Sequence, residues 1–205
     1  LIGSRNGNLA ALYEYNNSEW EQKHVFKAEK YQSKGRYGFS VKLAEDRAII
    51  GYPGYNSYGS VEIHALNNGT WYKSIEIMNP NEIKGSYFGS AISILNDRLL
   101  IGDYNGERSY IYRIQNDTYS LKQTFESPDL DNEGKFGRTL SMSADQIIIG
   151  ATYGEKAYIY ALNESDTWFL TNNISSDNRI QSITGDIFPC AVSYTHLRAH
   201  ETDSY

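Results

Sequence analysis

The chain has 205 residues, is 40% hydrophobic and 14% aromatic, and carries a formal net charge of −6. This acidic balance lacks the basic surface that nucleic-acid binding requires, and no apolar run approaches the roughly 18 residues of a transmembrane helix. Eighteen tyrosines, seventeen glycines and only four prolines are typical of short β-strands joined by tight turns. The single cysteine, Cys190, has no partner for an internal disulfide and leaves the redox compartment open.

A pattern of about 50 residues occurs three times in full, after the end of an earlier copy. Each full copy opens on an aromatic–glycine pair, and its second apolar stretch ends in glycine. The opening pairs are Tyr37-Gly38, Phe88-Gly89 and Phe136-Gly137, and the later glycines are Gly3, Gly51, Gly102 and Gly150. A period of this length predicts a tandem array of one supersecondary unit.

The copy that begins at Phe88 predicts four strands. Ser90–Ile94 alternates polar and apolar residues, Asn96-Asp97 is a tight turn, and Arg98–Ile101 is an apolar run typical of a strand buried on both faces. Ser109–Ile114 and Tyr119–Phe125 supply the third and fourth strands. Four antiparallel strands in such a unit, repeated in tandem, predict an all-β fold built as a β-propeller.

The order of these elements carries a family resemblance. Phe-Gly, a short turn, Ile-Ile-Gly, a loop, Tyr-Ile-Tyr, an Asn-rich turn and Trp together resemble the FG-GAP repeat, in the subgroup without a calcium loop. The resemblance covers residues 1–188, in copies of about 1–35, 36–86, 87–135 and 136–187. It implies an integrin-α-like propeller, often seven-bladed. Two departures are Tyr37 in place of Phe, and Gly51-Tyr52-Pro53 in place of Gly-Ala-Pro.

The blade arithmetic and the C-terminus both predict that the chain is a fragment. About 3.5–4 blades are too few for a seven-bladed ring, so strand edges and an apolar face would be left open. The next Phe-Gly is due at Ile187-Phe188-Pro189, after which the pattern stops. Residues 189–205 resemble a translated sequencing adapter, so we expect a non-native tail. His196 and His200 have the spacing of a zinc pair on a helix, but we place no metal there.

Neither a metal nor a cofactor is predicted elsewhere. The acidic turns at Asp46, Asp97 and Asp145 offer one or two carboxylates each, whereas calcium takes about six to eight oxygens. The stretch from Asp129 to Gly134 has alternating acids like the start of a calcium loop, but it lacks the closing glutamate. We therefore expect a solvated loop between blades.

Five N-glycosylation sequons occur, and the first four lie in the same turn of successive copies. Their acceptor residues are Asn16, Asn68, Asn116, Asn163 and Asn173. Two interpretations stay open at this point. The sequons are typical of a secreted or cell-surface glycoprotein, yet Asn, Gly, Ser and Thr are also the residues that such a turn favours.

The loops that follow the second strand of each blade are the candidate ligand-binding surface. In a propeller these loops and the connections between blades emerge on one face. Aromatic side chains with polar tips are good contact surfaces for proteins or sugars. The candidate residues are Tyr52, Tyr55, Tyr58, Asp103, Tyr104 and Tyr153. The alternative is that these tyrosines pack between blades.

These patterns favour a non-enzymatic interaction module, extracellular or lumenal, that binds a protein or carbohydrate partner in the manner of an adhesion protein. No paired carboxylates and no nucleophile–base motif stand out, so no catalytic residue is predicted. An alternative is part of a glycosidase or lyase whose catalytic residues lie mostly in other blades. A second alternative is a purely structural, adhesive repeat.

Overall fold

The computed structural model describes residues 1–29, 35–44, 46–129 and 134–176. The expectations for Ile187-Phe188-Pro189, Cys190, the histidine pair and the 189–205 tail fall outside these residues. The described chain forms four antiparallel sheets, one with three strands and three with four, each in sequential strand order. We refer to the sheets, in chain order, as blades 1 to 4.

The fifteen strands alternate with short turns and one 3₁₀ turn. Blade 1 holds β1 (Ile2–Ser4), β2 (Leu9–Asn16) and β3 (Glu19–Lys27). Blade 2 holds β4 (Val41–Ala44), β5 (Arg47–Tyr52), β6 (Ser60–Asn67) and β7 (Thr70–Met78), with the 3₁₀ turn η1 (Tyr55–Ser57) between β5 and β6. Blade 3 holds β8 (Phe88–Leu95), β9 (Arg98–Asp103), β10 (Arg108–Gln115) and β11 (Thr118–Glu126). Blade 4 holds β12 (Phe136–Met142), β13 (Gln146–Ala151), β14 (Lys156–Leu162) and β15 (Trp168–Ser175).

The predicted strands of the third copy are confirmed, and the observed strands extend them by one or two residues at some ends. β8 and β9 are extended because Phe88 and Asp103 pair with each other at the end of their ladder, and β10 and β11 because Arg108 pairs with Glu126 and Gln115 with Thr118. The all-β class and a partial β-propeller of about four blades are likewise confirmed.

The two glycines of each repeat are explained by contact between successive blades. A Cβ atom added to Gly51 would lie 2.0 Å from the carbonyl oxygen of Gly89, and one added to Gly102 would lie 2.0 Å from that of Gly137. Gly89 itself has φ +88°, a left-handed conformation that costs glycine little. The repeat therefore keeps glycine at both positions because two backbones meet there.

The hydrophobic core lies between blades rather than within one sheet. Blades 2 and 3 enclose a cluster that includes Ile49, Ile63, Phe88 and Tyr110, all at most 1% exposed. Blades 3 and 4 enclose a second cluster, and blades 1 and 2 a third, smaller one. Blades 2 and 3 thus each hide apolar faces against two neighbours, as propeller blades do, and blades 1 and 4 each pack against one.

Candidate ligand-binding face

The connections that follow the second and fourth strands of each blade meet along one edge of the sheets. The Gly85 amide donates to Ser57 O at 2.7 Å, the Asn105 side-chain amide donates to Gly85 O at 3.0 Å, and the Tyr153 amide donates to Gly134 O at 2.9 Å. We call this edge the loop face. It comprises residues 35–36, 53–59, 79–87, 104–107 and 152–155, the described parts of 127–135, and Arg138, whose guanidinium lies against the Tyr104 ring.

Asp103 lies buried below the loop face and holds its loops in place through hydrogen bonds. Its side chain is fully buried and accepts four hydrogen bonds, from Ser86 Oγ (2.6 Å), the Tyr87 amide (2.7 Å), the Gly106 amide (3.0 Å) and Asn79 Nδ2 (3.1 Å). A carboxylate with these partners fixes the 79–87 and 104–107 segments relative to each other. The ligand-binding role predicted for Asp103 stays a prediction, and its burial leads us to leave it out of the contact surface.

The three tyrosines of the blade 2 loop lie at different depths. Tyr52 is 1% exposed and packs edge-to-face on Tyr37, with ring centres 5.3 Å apart. Its other neighbour, Tyr55, is half-buried at a ring distance of 5.1 Å. Tyr58 is also half-buried, and its carbonyl accepts from Asn79 Nδ2 at 3.3 Å. The alternative of packing between blades therefore describes Tyr52, and the ligand-binding role predicted for all three remains untested.

The predicted residues Tyr104 and Tyr153 belong to a continuous stack that crosses the loop face. Tyr104 lies 4.9 Å from the Tyr87 ring, with an interplanar angle of 31°. The Arg36 guanidinium lies 5.1 Å from the Tyr87 ring, and that of Arg138 lies 5.3 Å from Tyr104 and 5.2 Å from Tyr153. We call these five residues the Arg–Tyr ladder. It joins side chains from three copies of the repeat.

The ladder presents positive charge and one open aromatic ring. Within the described ranges, neither Arg36 nor Arg138 has a carboxylate oxygen within 4.0 Å. Tyr153 is 66% exposed. Burial, and then the neighbouring Tyr87, raise the pKa of Tyr104, so its hydroxyl keeps its proton at neutral pH. These groups can contact an anion and a flat apolar surface at once.

Three members of the ladder were missed by the sequence analysis. Arg36 and Tyr87 immediately precede the aromatic–glycine pairs at Tyr37 and Phe88, and Arg138 follows the pair that begins at Phe136. These flanking positions lie on the loop face because each pair packs against the preceding blade just below it. The sequence therefore contained a signal for these three residues, because they flank the aromatic–glycine pair that opens each repeat.

A second feature, a buried polar cluster between blades 1 and 2, was also missed. The Tyr37 hydroxyl donates to Glu62 Oε2 at 3.0 Å, and His64 Nε2 lies 3.1 Å from both of these oxygens. Lys73 Nζ donates to Glu62 Oε1 at 2.9 Å and to Glu76 Oε2 at 3.0 Å. Glu62 is 3% exposed, so every contact that it makes is largely shielded from solvent.

The directions of the pKa shifts show what this cluster does chemically. Burial alone would raise the pKa of Glu62, but hydrogen bonds from His64 and Lys73 outweigh it and lower the pKa. Burial alone would lower the pKa of Lys73, and its bonds to Glu62 and Glu76 raise it instead. Burial and then the charge of Glu62 raise the pKa of Tyr37. Each shift moves the pKa of its group further from neutral pH, whereas a general acid or base works best with a pKa close to the pH at which it acts.

A small cleft adjoins this cluster. Its volume is about 60 Å³, which suffices for a few water molecules. The lining residues are Glu29, Tyr52, Tyr55, Glu62, Lys73 and Glu76. The cleft is the place where the predicted loop tyrosines and the buried cluster meet.

The sequon residues are all exposed, and the hairpin geometry accounts for part of their pattern. Asn68 and Asn116 have φ values of +48° and +49°, and the residue after each also has positive φ. This is the two-residue hairpin turn that favours asparagine. Asn163 accepts from the Thr167 amide at 2.9 Å in a longer turn, and Asn173 lies within β15. Glycosylation itself stays a prediction.

Two of the acids considered for calcium, Asp97 and Asp129, form ion pairs with basic side chains. Asp97 pairs with Arg113 at 2.7 Å, and Asp129 binds Lys156 Nζ with both oxygens, at 2.9 and 3.0 Å. Among the described residues, no group of three or more His, Cys, Asp or Glu side chains is placed to hold a metal. No helix in that part of the chain is long and apolar enough to cross a membrane.

Comparison with known proteins supports the fold. No protein-family model and no curated protein sequence matches this chain. A crystal structure of a protein from Lactobacillus plantarum is similar over 82% of this chain and 49% of that one, with 12% identity and a TM-score of 0.64. A functionally unknown protein from Desulfotomaculum acetoxidans is similar over 84% and 51%, with 14% identity and a TM-score of 0.58. The chain thus spans about half the length of each, and at these identities the likeness shows a β-propeller-like fold alone.

Proposed function

We propose that this chain is part of an FG-GAP-type β-propeller whose loop face binds a protein or glycan partner without catalysing a reaction. The Arg–Tyr ladder is the observation that carries the proposal. Its rings and guanidiniums hold one another in place before any ligand arrives, so little side-chain entropy is lost on binding. Tyrosine and arginine are also the residues that contribute most to binding energy at interfaces.

The non-enzymatic part of the proposal rests on the buried cluster between blades 1 and 2. Glu62, His64 and Tyr37 are the residue types of an acid–base site and lie within hydrogen-bond distance of one another. Yet Glu62 is bound by three donors, and the pKa shifts described above keep it charged and Tyr37 protonated. This is the behaviour of a structural ion-pair network.

An extracellular or cell-surface location is the third part of the proposal. The strand three to strand four turns hold four sequons and lie at the opposite end of the sheets from the loop face. A glycan on Asn68 or Asn116 would therefore leave the Arg–Tyr ladder open. Mass spectrometry of the chain secreted from eukaryotic cells would detect occupied sites, and five unmodified asparagines would contradict this part.

The binding function is tested with the full chain on arrays of glycans and of immobilised extracellular proteins. We expect a bound partner whose signal falls at least tenfold in Tyr153→Ala, because the ring is 66% exposed and its removal leaves the fold intact. Tyr72→Ala is the matched control, since Tyr72 is 49% exposed on β7 and away from the loop face. Equal losses in both variants, or conversion of the bound partner into products, would contradict the proposal.

A further inference from the structure

We propose that the partner of the loop face is an acidic glycan, a chain of sugar rings that carries spaced carboxylate or sulfate groups. This inference rests on the proposed function, because it names the ligand class of the same surface. The Arg–Tyr ladder carries it through three properties: its charge, the placement of its guanidiniums against aromatic rings, and the kind of surface that surrounds them.

The Arg–Tyr ladder places positive charge on a chain that is acidic as a whole. The net charge is −6, yet the ladder holds two arginines with no carboxylate oxygen within 4.0 Å among the described residues. The buried acids beneath it are already bound by protein groups. Glu107, for example, is 6% exposed and accepts from the amides of Lys135 (2.7 Å) and Phe136 (2.8 Å). Two guanidiniums in one row, neither with a carboxylate partner in the described chain, attract anions.

The ring contacts leave hydrogen-bond donors for an anion. A tyrosine ring that contacts a guanidinium through its π-system does not accept all of the N–H groups of that guanidinium. Arg138 is held between two rings, Tyr104 at 5.3 Å and Tyr153 at 5.2 Å. Its five N–H donors are matched in geometry to the paired oxygens of a carboxylate or sulfate. Arg36 repeats the arrangement on Tyr87, so two anion-binding positions lie along one stack.

Exposed acids nearby favour a partner with spaced charges. Glu82 and Glu155 are exposed in the same loops, and Glu155 accepts a hydrogen bond from Ser176. These carboxylates repel a polymer that carries a charge at every position. A glycan whose anionic groups alternate with neutral sugars can place its charges on the arginines and its neutral rings elsewhere.

The surface between the charges fits sugar rings better than a peptide. The exposed Tyr153 ring is flat and apolar with a polar edge, which complements the C–H face and hydroxyl rim of a pyranose. An extended acidic peptide would bind most readily along an unpaired strand edge. The loop face presents the ends of strands, whereas the edges of blades 2 and 3 run along β4 and β7 and along β8 and β11.

The test measures binding of the full chain to four polymers by biolayer interferometry at several salt concentrations. The probes are hyaluronan, which carries carboxylates, chondroitin sulfate, which adds sulfates, neutral dextran, and poly-glutamate. We expect binding to one or both acidic glycans, with an affinity that falls as salt rises. Arg36→Gln and Arg138→Gln should each weaken it at least tenfold. Lys122→Gln, which removes an exposed charge from β11, should not.

Arg138→Lys sharpens the test, because it keeps the charge and loses the planar fork. An affinity between that of the wild type and that of Arg138→Gln would support anion binding by a stacked guanidinium. Equal binding of dextran, a preference for poly-glutamate, or no binding to either acidic glycan would overturn this inference and leave the proposed function standing. Binding that no ladder variant weakens would overturn both.

Discussion

Two blade boundaries use equivalent backbone positions for different side chains. The side chains are polar between blades 1 and 2 and apolar between blades 2 and 3. On the face of blade 3 that packs against blade 2, Phe88 meets Tyr110 edge-on with ring centres 5.3 Å apart. On the face of blade 4 that packs against blade 3, Phe136 and Tyr158 repeat this contact at 5.5 Å. Both pairs lie within apolar clusters and are almost fully buried.

Between blades 1 and 2 the same positions hold the buried polar cluster. Glu62 pairs with Ile50 across β5 and β6, as Tyr110 pairs with Ile101 in blade 3. By the same register, His64 stands where blade 3 has Tyr112. Tyr37 replaces the phenylalanine of the other copies, and its additional hydroxyl is the group that binds Glu62.

The difference shows that blade packing determines which side-chain positions meet, but not whether the side chains at those positions are polar or apolar. Lys73 pairs with His64 in β7, whereas the equivalent residue of β11 is Leu121. Four positions have therefore changed together, from an apolar set to a polar set whose members bind one another. A buried polar network is tolerated only when all of its members find partners, which explains why no single change of this kind appears at the other contacts.

Removing the centre of the polar set should have the largest effect. We expect Glu62→Ala to lower the free energy of unfolding by about 3–5 kcal/mol, because Lys73 and His64 lose their shared buried partner. Glu76→Ala is the control, since its side chain contacts the same lysine and is 24% exposed. It should cost about 1 kcal/mol or less. Urea unfolding followed by circular dichroism measures both, and similar losses would contradict the central role of Glu62.

Converting the polar set into the apolar one is the next test in size. The variant combines Tyr37→Phe, Glu62→Tyr, His64→Tyr and Lys73→Leu. We expect no loss of stability, or a gain of about 1–4 kcal/mol, since well-packed apolar residues often outperform buried ion pairs. The larger tyrosine side chain can be accommodated at position 62, because the cleft of about 60 Å³ adjoins Glu62. Each single change should destabilise, and four losses that simply add would contradict the coupling.

Acid should open the contact between blades 1 and 2 first. The pKa of Glu62 is lowered in the fold, so the stability that it contributes is present above its ordinary pKa of about 4.3 and is lost as pH falls through the folded value. Lys73 works in the opposite direction. Its pKa is raised, so its contribution holds below its ordinary value of about 10.4 and is lost at more alkaline pH.

Two tryptophans report on the two kinds of contact. Trp71 lies 5.4 Å from Phe26 beside the polar set, and Trp168 is 5% exposed in the cluster between blades 3 and 4. In variants that keep one of them, Trp71 emission should shift to the red at a higher pH than Trp168 emission during acid titration. Coincident shifts would contradict the expectation. The apolar quadruple variant is the control, and both shifts should coincide there.

The fold was predictable from the sequence because its signals are local. The alternation of Ser90–Ile94 and the Asn96-Asp97 turn report their own backbone conformation, and the observed strands follow them closely. The glycine period was predictable for a related reason. Gly51 and Gly89 each exclude a side chain at a backbone contact, and such a contact recurs at every blade boundary.

The candidate site was predictable only in part because its residues meet through the fold. Tyr104 and Tyr153 were recognised as loop tyrosines, but their arginine neighbours lie in the flanks of other repeats and are joined to them by blade packing. Asp103 looked like an exposed loop acid, and its burial depends on Asn79 and Ser86 from the preceding connection. Glu62 gave no signal at all, since one acid in an alternating strand is usually solvated.

Removing the outer ion pairs should change the free energy of unfolding least. These pairs lie at the boundaries between blades 2 and 3 and between blades 3 and 4, whose buried contacts are apolar. Arg47 of blade 2 reaches Asp117 in the β10–β11 turn of blade 3 at 2.7 Å, where the arginine is 25% and the aspartate 72% exposed. Because the pair is largely solvated, we expect Arg47→Gln to cost about 0.2–1 kcal/mol, and less at high salt. Urea unfolding at low and high salt measures this, and a larger, salt-independent loss would contradict it.

Arg98→Gln is the matched comparison at the boundary between blades 3 and 4. Arg98 pairs with Asp166 at 3.1 Å, but it also donates to Ala144 O at 2.8 Å and lies 5.5 Å from the Trp168 ring, so its loss should exceed that of Arg47. Blade 2 offers no such acid to blade 1, because the residue equivalent to Asp117 is Gly69. In the described chain, the boundary between blades 1 and 2 instead holds charges in the interior, around Glu62.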